Sequence, residues 1–142
     1  VLGGLTRLSL IAKFFRILAI PDCPEAEMLA MSQLDHDLND LTEAEMLEVF
    51  AKDETKGYPD IAEKEKVYIA GLAEYIYHKA GKTPPDWVYS KEFYLPNKQY
   101  TDGIEMLSKD FNTNSLKQVC DEEVLPEFKE RNYMITEVLT AM

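Results

Sequence analysis

Residues 59–81, PDIAEKEKVYIAGLAEYIYHKAG, constrain the fold more than any other part of the chain. Their apolar side chains recur at spacings of three and four, which is the period of an α-helix and not of a strand. Gly81 stands where such a helix would end, because glycine readily adopts the left-handed conformation found there. Gly71 costs about 1 kcal/mol relative to alanine inside a helix, so we expect another element to approach it closely. The stretch predicts a central helix over 59–80.

The rest of the chain also shows helical spacing, without sustained strand alternation. Further helices are predicted over about 5–20, 24–37, 41–54, 101–111 and 112–125, with a last turn or two from about 136. Thr42 and Glu45 form a capping-box pair at the start of the third of these segments. Residues 88–95, VYSKEFYL, are the best candidate for a short strand, although a strand is the less favoured interpretation. We therefore predict a single all-α domain over 1–142, a compact bundle of about five to seven helices.

Residues 83–96, TPPDWVYSKEFYLP, follow the predicted central helix, and we call them the strap. Three prolines limit its backbone to extended and turn conformations and stop helices from running through it. Its aromatic side chains are Trp87, Tyr89, Phe93 and Tyr94. We predict that the strap lies across the central helix, with Trp87 as its anchor and the indole N–H bonded to a carbonyl. An exposed aromatic groove that binds a peptide or a partner helix is the alternative.

The predicted helix over 5–20 is apolar around most of its circumference. Its polar side chains Thr6, Ser9, Lys13 and Arg16 fall into one narrow stripe. A helix of this kind is either central in the core of its own domain or covered by another chain. Burial in the domain's own core is the favoured interpretation, and a dimer or partner seam that includes Leu8 and Phe15 is the alternative.

Charge and hydropathy exclude two classes of partner. Fifteen Lys and Arg against 26 Asp and Glu give a net charge of −11, which opposes the approach of a phosphate backbone. Lys13 and Arg16 interrupt the apolar N-terminal stretch, which is also too short for a membrane span of about twenty residues. The segment after it, PDCPEAE, lacks the small-residue cleavage site of a signal peptide. We expect a cytoplasmic protein without a membrane span and without direct nucleic-acid binding.

Motifs for catalysis, cofactors and metals are missing from the sequence. His36 and His78 are the only histidines, and neither belongs to a recognised ligand pattern. Cys23 and Cys120 lie outside any CxxC pair, so free thiols are favoured and a disulfide between them stays open. There is no GxSxG elbow and no phosphate-binding glycine loop. We therefore predict no cofactor, no metal site and no catalytic residue.

Several short motifs in the second half of the chain carry a resemblance. The order YIAGLAEYIYHKAG, PPDWV, a Leu95–Pro96 step and PEFKERN resembles a group of uncharacterised small helical bacterial domains. The matching positions are Pro85, Trp87, Val88, Pro126, Phe128, Arg131 and Asn132. Domains of that group occur alone or behind a helix-turn-helix DNA-binding domain, so the resemblance implies a bacterial regulatory or toxin–antitoxin-like setting. It implies no activity.

The sequence as a whole favours a non-enzymatic protein-interaction or regulatory module. Its partner would be another protein or a second copy, bound through the N-terminal helix or the strap. The candidate interface residues are Leu8, Phe15, Trp87, Tyr89, Phe93, Tyr94 and Arg131. A small enzyme is the alternative, with a site assembled from scattered Asp, Glu and Tyr side chains and Arg131.

Overall fold

The computed structural model of the chain describes residues 2–53, 55, 63–100, 122 and 124–134, and for residues 2–9, 63 and 100 it describes the backbone alone. The described residues form five α-helices, two short 3₁₀ helices and one pair of two-residue strands. This confirms the predicted all-α class and the compact helical bundle. The predicted helices over 101–111 and from 136, and most of the one over 112–125, lie outside the described residues.

The elements follow one another in a simple order. The helices are α1 (Leu2–Leu18), α2 (Ala26–Asn39), α3 (Glu43–Val49), α4 (Glu63–Lys79) and α5 (Pro126–Lys129). The 3₁₀ helices are Asp86–Tyr89 and Lys91–Phe93, both within the strap. Strand β1 (Gln99–Tyr100) pairs in parallel with β2 (Tyr133–Met134). Residues 88–95 form no strand, which agrees with the favoured interpretation of this segment, because two tight turns take the place of extended backbone there.

Helix α4 is central, as predicted, and packs against α3, the strap, α5 and β2. Four buried aromatic rings link it to the elements on either side. Tyr68 of α4 lies 5.7 Å from the Phe14 ring of α1, 5.9 Å from the Phe128 ring of α5 and 6.3 Å from the Tyr133 ring of β2, centre to centre. These separations are typical of packed aromatic pairs. The core therefore runs continuously from the N-terminal helix to the C-terminal strand.

Both glycines of the α4 segment act as the sequence predicts. A Cβ at Gly71 would lie 2.7 Å from the Phe128 ring, so only glycine lets α5 approach α4 this closely. Gly81 has a φ of 71°, and the N–H of Lys82 donates to the carbonyl of Tyr77 at 2.9 Å, which closes the helix end. The start of α3 also follows the prediction, because Thr42 and Glu45 exchange both bonds of a capping box.

Helix α1 packs against α2 with its apolar face inward. Leu10, Ile11, Phe14 and Phe15 are buried, while Lys13 and Arg16 of the predicted polar stripe are exposed. Burial in the chain's own core therefore accounts for the described part of the wide apolar face. In the part of the chain that the structure describes, no helix is both long and apolar enough to cross a membrane.

Candidate functional site

The strap is held against α3 and α4 by its tryptophan. The indole N–H of Trp87 donates to the carbonyl of Phe50, the residue after α3, at 2.9 Å. The Trp87 ring meets the Phe93 ring edge to face at 5.3 Å. The predicted bond from the indole to a carbonyl is confirmed, and the carbonyl belongs to the end of α3. Trp87 thereby joins α3 to the strap.

The segment around α5 fixes the other side of the strap. Pro126 occupies the first turn of α5, and Asn132 adopts a left-handed φ of 63° that ends the turn. The amide N–H of Leu95 donates to the carbonyl of Arg131 at 3.0 Å, and the Asn132 side chain donates back to the carbonyl of Leu95 at 2.8 Å. Reciprocal bonds of this kind set the register between the strap and the C-terminal segment.

Arg131 is fully buried and joins three parts of the fold. Its Nη1 donates to the carboxylate of Glu74 in α4, to the backbone carbonyl of Glu127 at 2.9 Å and to Glu130 Oε1 at 3.1 Å. Its Nη2 donates to the carbonyl of Val88 in the strap at 2.6 Å. The guanidinium carbon lies 4.7 Å from the centre of the Tyr94 ring. The terminal nitrogens of Arg131 are thus used by the protein itself.

Three side chains around Arg131 have shifted acid–base properties, and we call them with Arg131 the arginine cluster: Glu74, Tyr89, Glu130 and Arg131. Burial alone would raise the pKa of Glu74, but hydrogen bonds from Glu130 and Arg131 and the charge of Arg131 lower it below its usual value. Burial and the bond to Glu74 raise the pKa of Glu130. Burial and a hydrogen bond with Glu74 raise the pKa of Tyr89 to about 12. The cluster therefore favours the ionised form of Glu74 and the protonated forms of Glu130 and Tyr89.

His78 lies at the solvent side of the arginine cluster. Its Nδ1 is 2.8 Å from Glu127 Oε2, and its Nε2 is 4.0 Å from Glu74 Oε2. His78 is exposed, so the two contacts lie at the rim of the fold and not in an enclosed site. Among the described residues, no group of three or more His, Cys, Asp or Glu side chains is arranged to hold a metal ion. Cys23 is a free thiol in the structure, and Cys120 lies outside the described residues.

A second feature is an exposed apolar surface at the turn between α1 and α2. Ile20 is 48% exposed, Met28 60% and Leu29 49%, and we call these three residues the corner patch. Of the large apolar side chains in the first turns of α2, Met31 and Leu34 are buried, whereas Met28 and Leu29 face the solvent. Ala26, Glu27 and Ala30 take the inward positions of the first turns of α2 instead.

The structure places the seven predicted interface residues in different environments. Phe15, Phe93 and Arg131 are buried within the chain, Trp87 and Tyr94 are half-buried, and Tyr89 is exposed. Leu8 belongs to α1, and its side chain lies outside the described residues. The contacts above pair Trp87 with Phe93 and Tyr94 with Arg131. These contacts lie within the chain. Their role in an interface stays a prediction.

No sequence pattern marks the corner patch, since its members look like ordinary core residues of an amphipathic helix and of a helix end. The spacing of four between Glu74 and His78 places both on one face of α4, but no pattern links Glu74 to Arg131. Comparison of the chain with protein-family models, with curated proteins and with solved structures found no match.

Proposed function

We propose that the chain is a non-enzymatic protein-interaction module that binds a partner protein through the corner patch. The observation that carries this proposal is the clustering of exposed apolar area: of the four large apolar side chains exposed among the described residues, three lie within residues 20–29. Single exposed apolar residues are ordinary, but a group of them marks a surface that is covered in a complex.

The charge around the corner patch favours a basic partner. Asp22 and Glu25 are exposed in the turn beside it, and the chain as a whole carries a net charge of −11. A second copy would bring the same acidic rim and the same net charge, so repulsion opposes self-association. A protein segment with apolar anchors flanked by Lys or Arg would bury the patch and neutralise its rim.

The strap and α1 supply less surface for a partner. The described apolar side chains of α1 are buried against α2, and most of the strap's aromatic area is buried against α3 and α4. The residues that carry the resemblance to small helical bacterial domains have structural contacts here, among them Trp87, Phe128, Arg131 and Asn132. The resemblance therefore supports a shared fold. From it we propose a regulatory setting, but we do not propose that the binding site is shared.

The test uses a synthetic amphipathic helical peptide of leucine and lysine as the probe, with a leucine and glutamate peptide as the charge control. We expect the wild type to bind the lysine peptide, and Met28→Ser/Leu29→Ser to bind it at least tenfold more weakly in calorimetry. Both positions are exposed, so the variant should stay folded by circular dichroism. Tyr89→Ser, which removes exposed apolar area on the strap, is the matched control and should bind like the wild type.

Equal binding by the wild type and the Met28→Ser/Leu29→Ser variant would contradict the proposal, because charge alone would then explain the affinity. A wild type that fails to bind the lysine peptide would contradict it as well. Light scattering adds a separate check. If the wild type is a dimer and Met28→Ser/Leu29→Ser is a monomer, the partner at the corner patch is a second copy of the chain and not a basic protein.

A small enzyme is the second candidate, and the arginine cluster is the observation that favours it. Its neighbouring groups have pKa values moved in opposite directions, a pattern found at catalytic sites. The same groups bond one another and the backbone, which leaves the guanidinium of Arg131 little capacity for a ligand. Inorganic phosphate, acetate and methylammonium serve as probes by NMR. Shifts confined to Glu74, Tyr89 and Glu130 would favour the enzyme, and none are expected.

A further inference from the structure

The first turns of α2 and α4 bring two carboxyl side chains together in the protein interior. Glu27 is 6% exposed and Glu65 is 7% exposed. The Glu65 carboxyl lies within hydrogen-bonding reach of the Glu27 carboxyl. Glu65 Oε2 is buried and has no hydrogen-bond partner among the described residues. Two acidic groups thus lie in contact where solvent cannot separate them.

Glu27 forms an ion pair with a lysine of α4. Lys64 Nζ lies 3.2 Å from Glu27 Oε2. Tyr68, one turn further along α4, has a fully buried hydroxyl without a hydrogen-bond partner in the described part of the chain. Burial and the charges of Asp35 and Glu27 raise the pKa of Tyr68. Glu65 therefore lies beside a carboxyl group from α2, and the phenol one turn along its own helix is buried and favours its neutral form.

A hydrogen bond between two carboxyl groups requires a proton, because two ionised carboxylates offer only acceptors. We propose that Glu27 and Glu65 form a proton-binding latch, which fastens the first turn of α4 to α2 while one proton is shared and loosens that contact when the proton leaves. The step is the release of one proton from Glu65 to water, and no bond other than that O–H is broken. The inference goes beyond the proposed function, since it requires no partner.

The acid strength of Glu65 agrees with this geometry. Burial first, and then the charge of Glu27, raise the pKa of Glu65 from 4.5 to about 7, while a backbone bond and Lys64 act in the opposite direction. Between these two values the folded chain binds more protons at this position than the unfolded chain. The contribution of Glu65 to stability is complete below pH 4.5, falls as pH rises toward 7 and is lost above that. The contact between α2 and the first turn of α4 should therefore loosen near neutral pH.

The test compares the wild type with Glu65→Gln by urea unfolding at pH 5, 6, 7 and 8. Glutamine resembles the protonated acid and donates a hydrogen bond to Glu27 at every pH. We expect the folding equilibrium constant of the wild type to fall relative to that of Glu65→Gln by roughly 30- to 300-fold between pH 5 and pH 8. Glu92→Gln, at an exposed acid of the strap, is the matched control and should follow the wild type.

Parallel pH profiles of the wild type and Glu65→Gln would overturn the latch. A direct readout on the wild type keeps the proposal falsifiable if Glu65→Gln does not fold: carbon NMR of the labelled Glu65 carboxyl as a function of pH. A midpoint near neutral pH supports the latch, and a midpoint below pH 5 overturns it. Amide exchange at residues 26–31 and 64–68, corrected for intrinsic rates, should increase above that midpoint. Unchanged exchange would contradict the loosening of the contact between α2 and α4.

Discussion

The two ends of α4 each hold a buried glutamate beside another glutamate, and the pKa of the buried glutamate is shifted in opposite directions at the two ends. Near the start, Glu65 faces Glu27, and its pKa is raised. Near the end, Glu74 faces Glu130, and its pKa is lowered. The difference is Arg131, which is buried at the second site and bonds Glu74 directly. A buried carboxylate stays ionised where its cation is buried with it.

This difference gives the two ends opposite responses to pH. Acid protonates Glu74 and weakens its bond to Arg131, so low pH loosens the end of α4. Base removes the proton shared by Glu27 and Glu65, so high pH loosens its start. The fold is therefore held at both ends only in an intermediate range of pH. Three substitutions test the two responses separately.

Removal of the guanidinium should have the largest effect. Arg131→Met removes the charged donor from the carboxylate of Glu74 and the side-chain donor from the carbonyl of Val88. We expect the free energy of unfolding to fall by about 3–5 kcal/mol, the usual cost of breaking a buried ion pair from one side. Urea unfolding at pH 7 measures it.

Arg16→Met is the matched control, since Arg16 is exposed on α1. Its unfolding free energy should stay within about 0.5 kcal/mol of the wild type, as for most surface substitutions. An Arg131→Met protein as stable as this control would show that the arginine cluster does not stabilise the fold.

A smaller effect is expected from Glu74→Gln, which removes the charge and keeps the shape. Because the folded pKa of Glu74 is lowered, its contribution to stability is present above the unfolded value of 4.5 and is lost as pH falls through the folded value. The variant should be less stable than the wild type by about 1.5–3 kcal/mol at pH 7, as for hydrogen bonds to charged groups. The difference should shrink as the pH falls from 7 to 3. A constant difference from pH 3 to pH 7 would place the effect in packing and not in charge.

Local rules explain why part of this fold is predictable from sequence. The α4 helix, its end at Gly81, the close approach at Gly71 and the capping box of Thr42 depend on residues near one another in the chain. The strap was predictable because prolines exclude regular structure and Trp87 requires both cover and an acceptor. Each of these features rests on a local conformational preference.

The charged sites depend on contacts that no local pattern reports. Arginine is among the residues least often buried, so a fully buried Arg131 runs against its usual place, and its partner Glu74 lies 57 positions away. Glu27 and Glu65 belong to ordinary acidic helix starts, where a solvent-facing side chain is the normal outcome. Met28 is the opposite case, an apolar side chain that is exposed. Packing against α1 decides which side of α2 faces the core.

The smallest expected effect concerns Lys64, a cation near the start of α4. Lys64 lowers the pKa of Glu65, although its ammonium lies beside Glu27. Lys64→Met removes that influence and should raise the pH at which Glu65 releases its proton by about half a unit, because Lys64 is the smallest of the causes that shift this pKa. Carbon NMR of the Glu65 carboxyl measures the midpoint, and Lys66→Met is the neighbouring control. A midpoint that stays constant or falls in Lys64→Met would mean that Lys64 does not act on the shared proton, and the contrast between the two ends of α4 would then rest on burial alone.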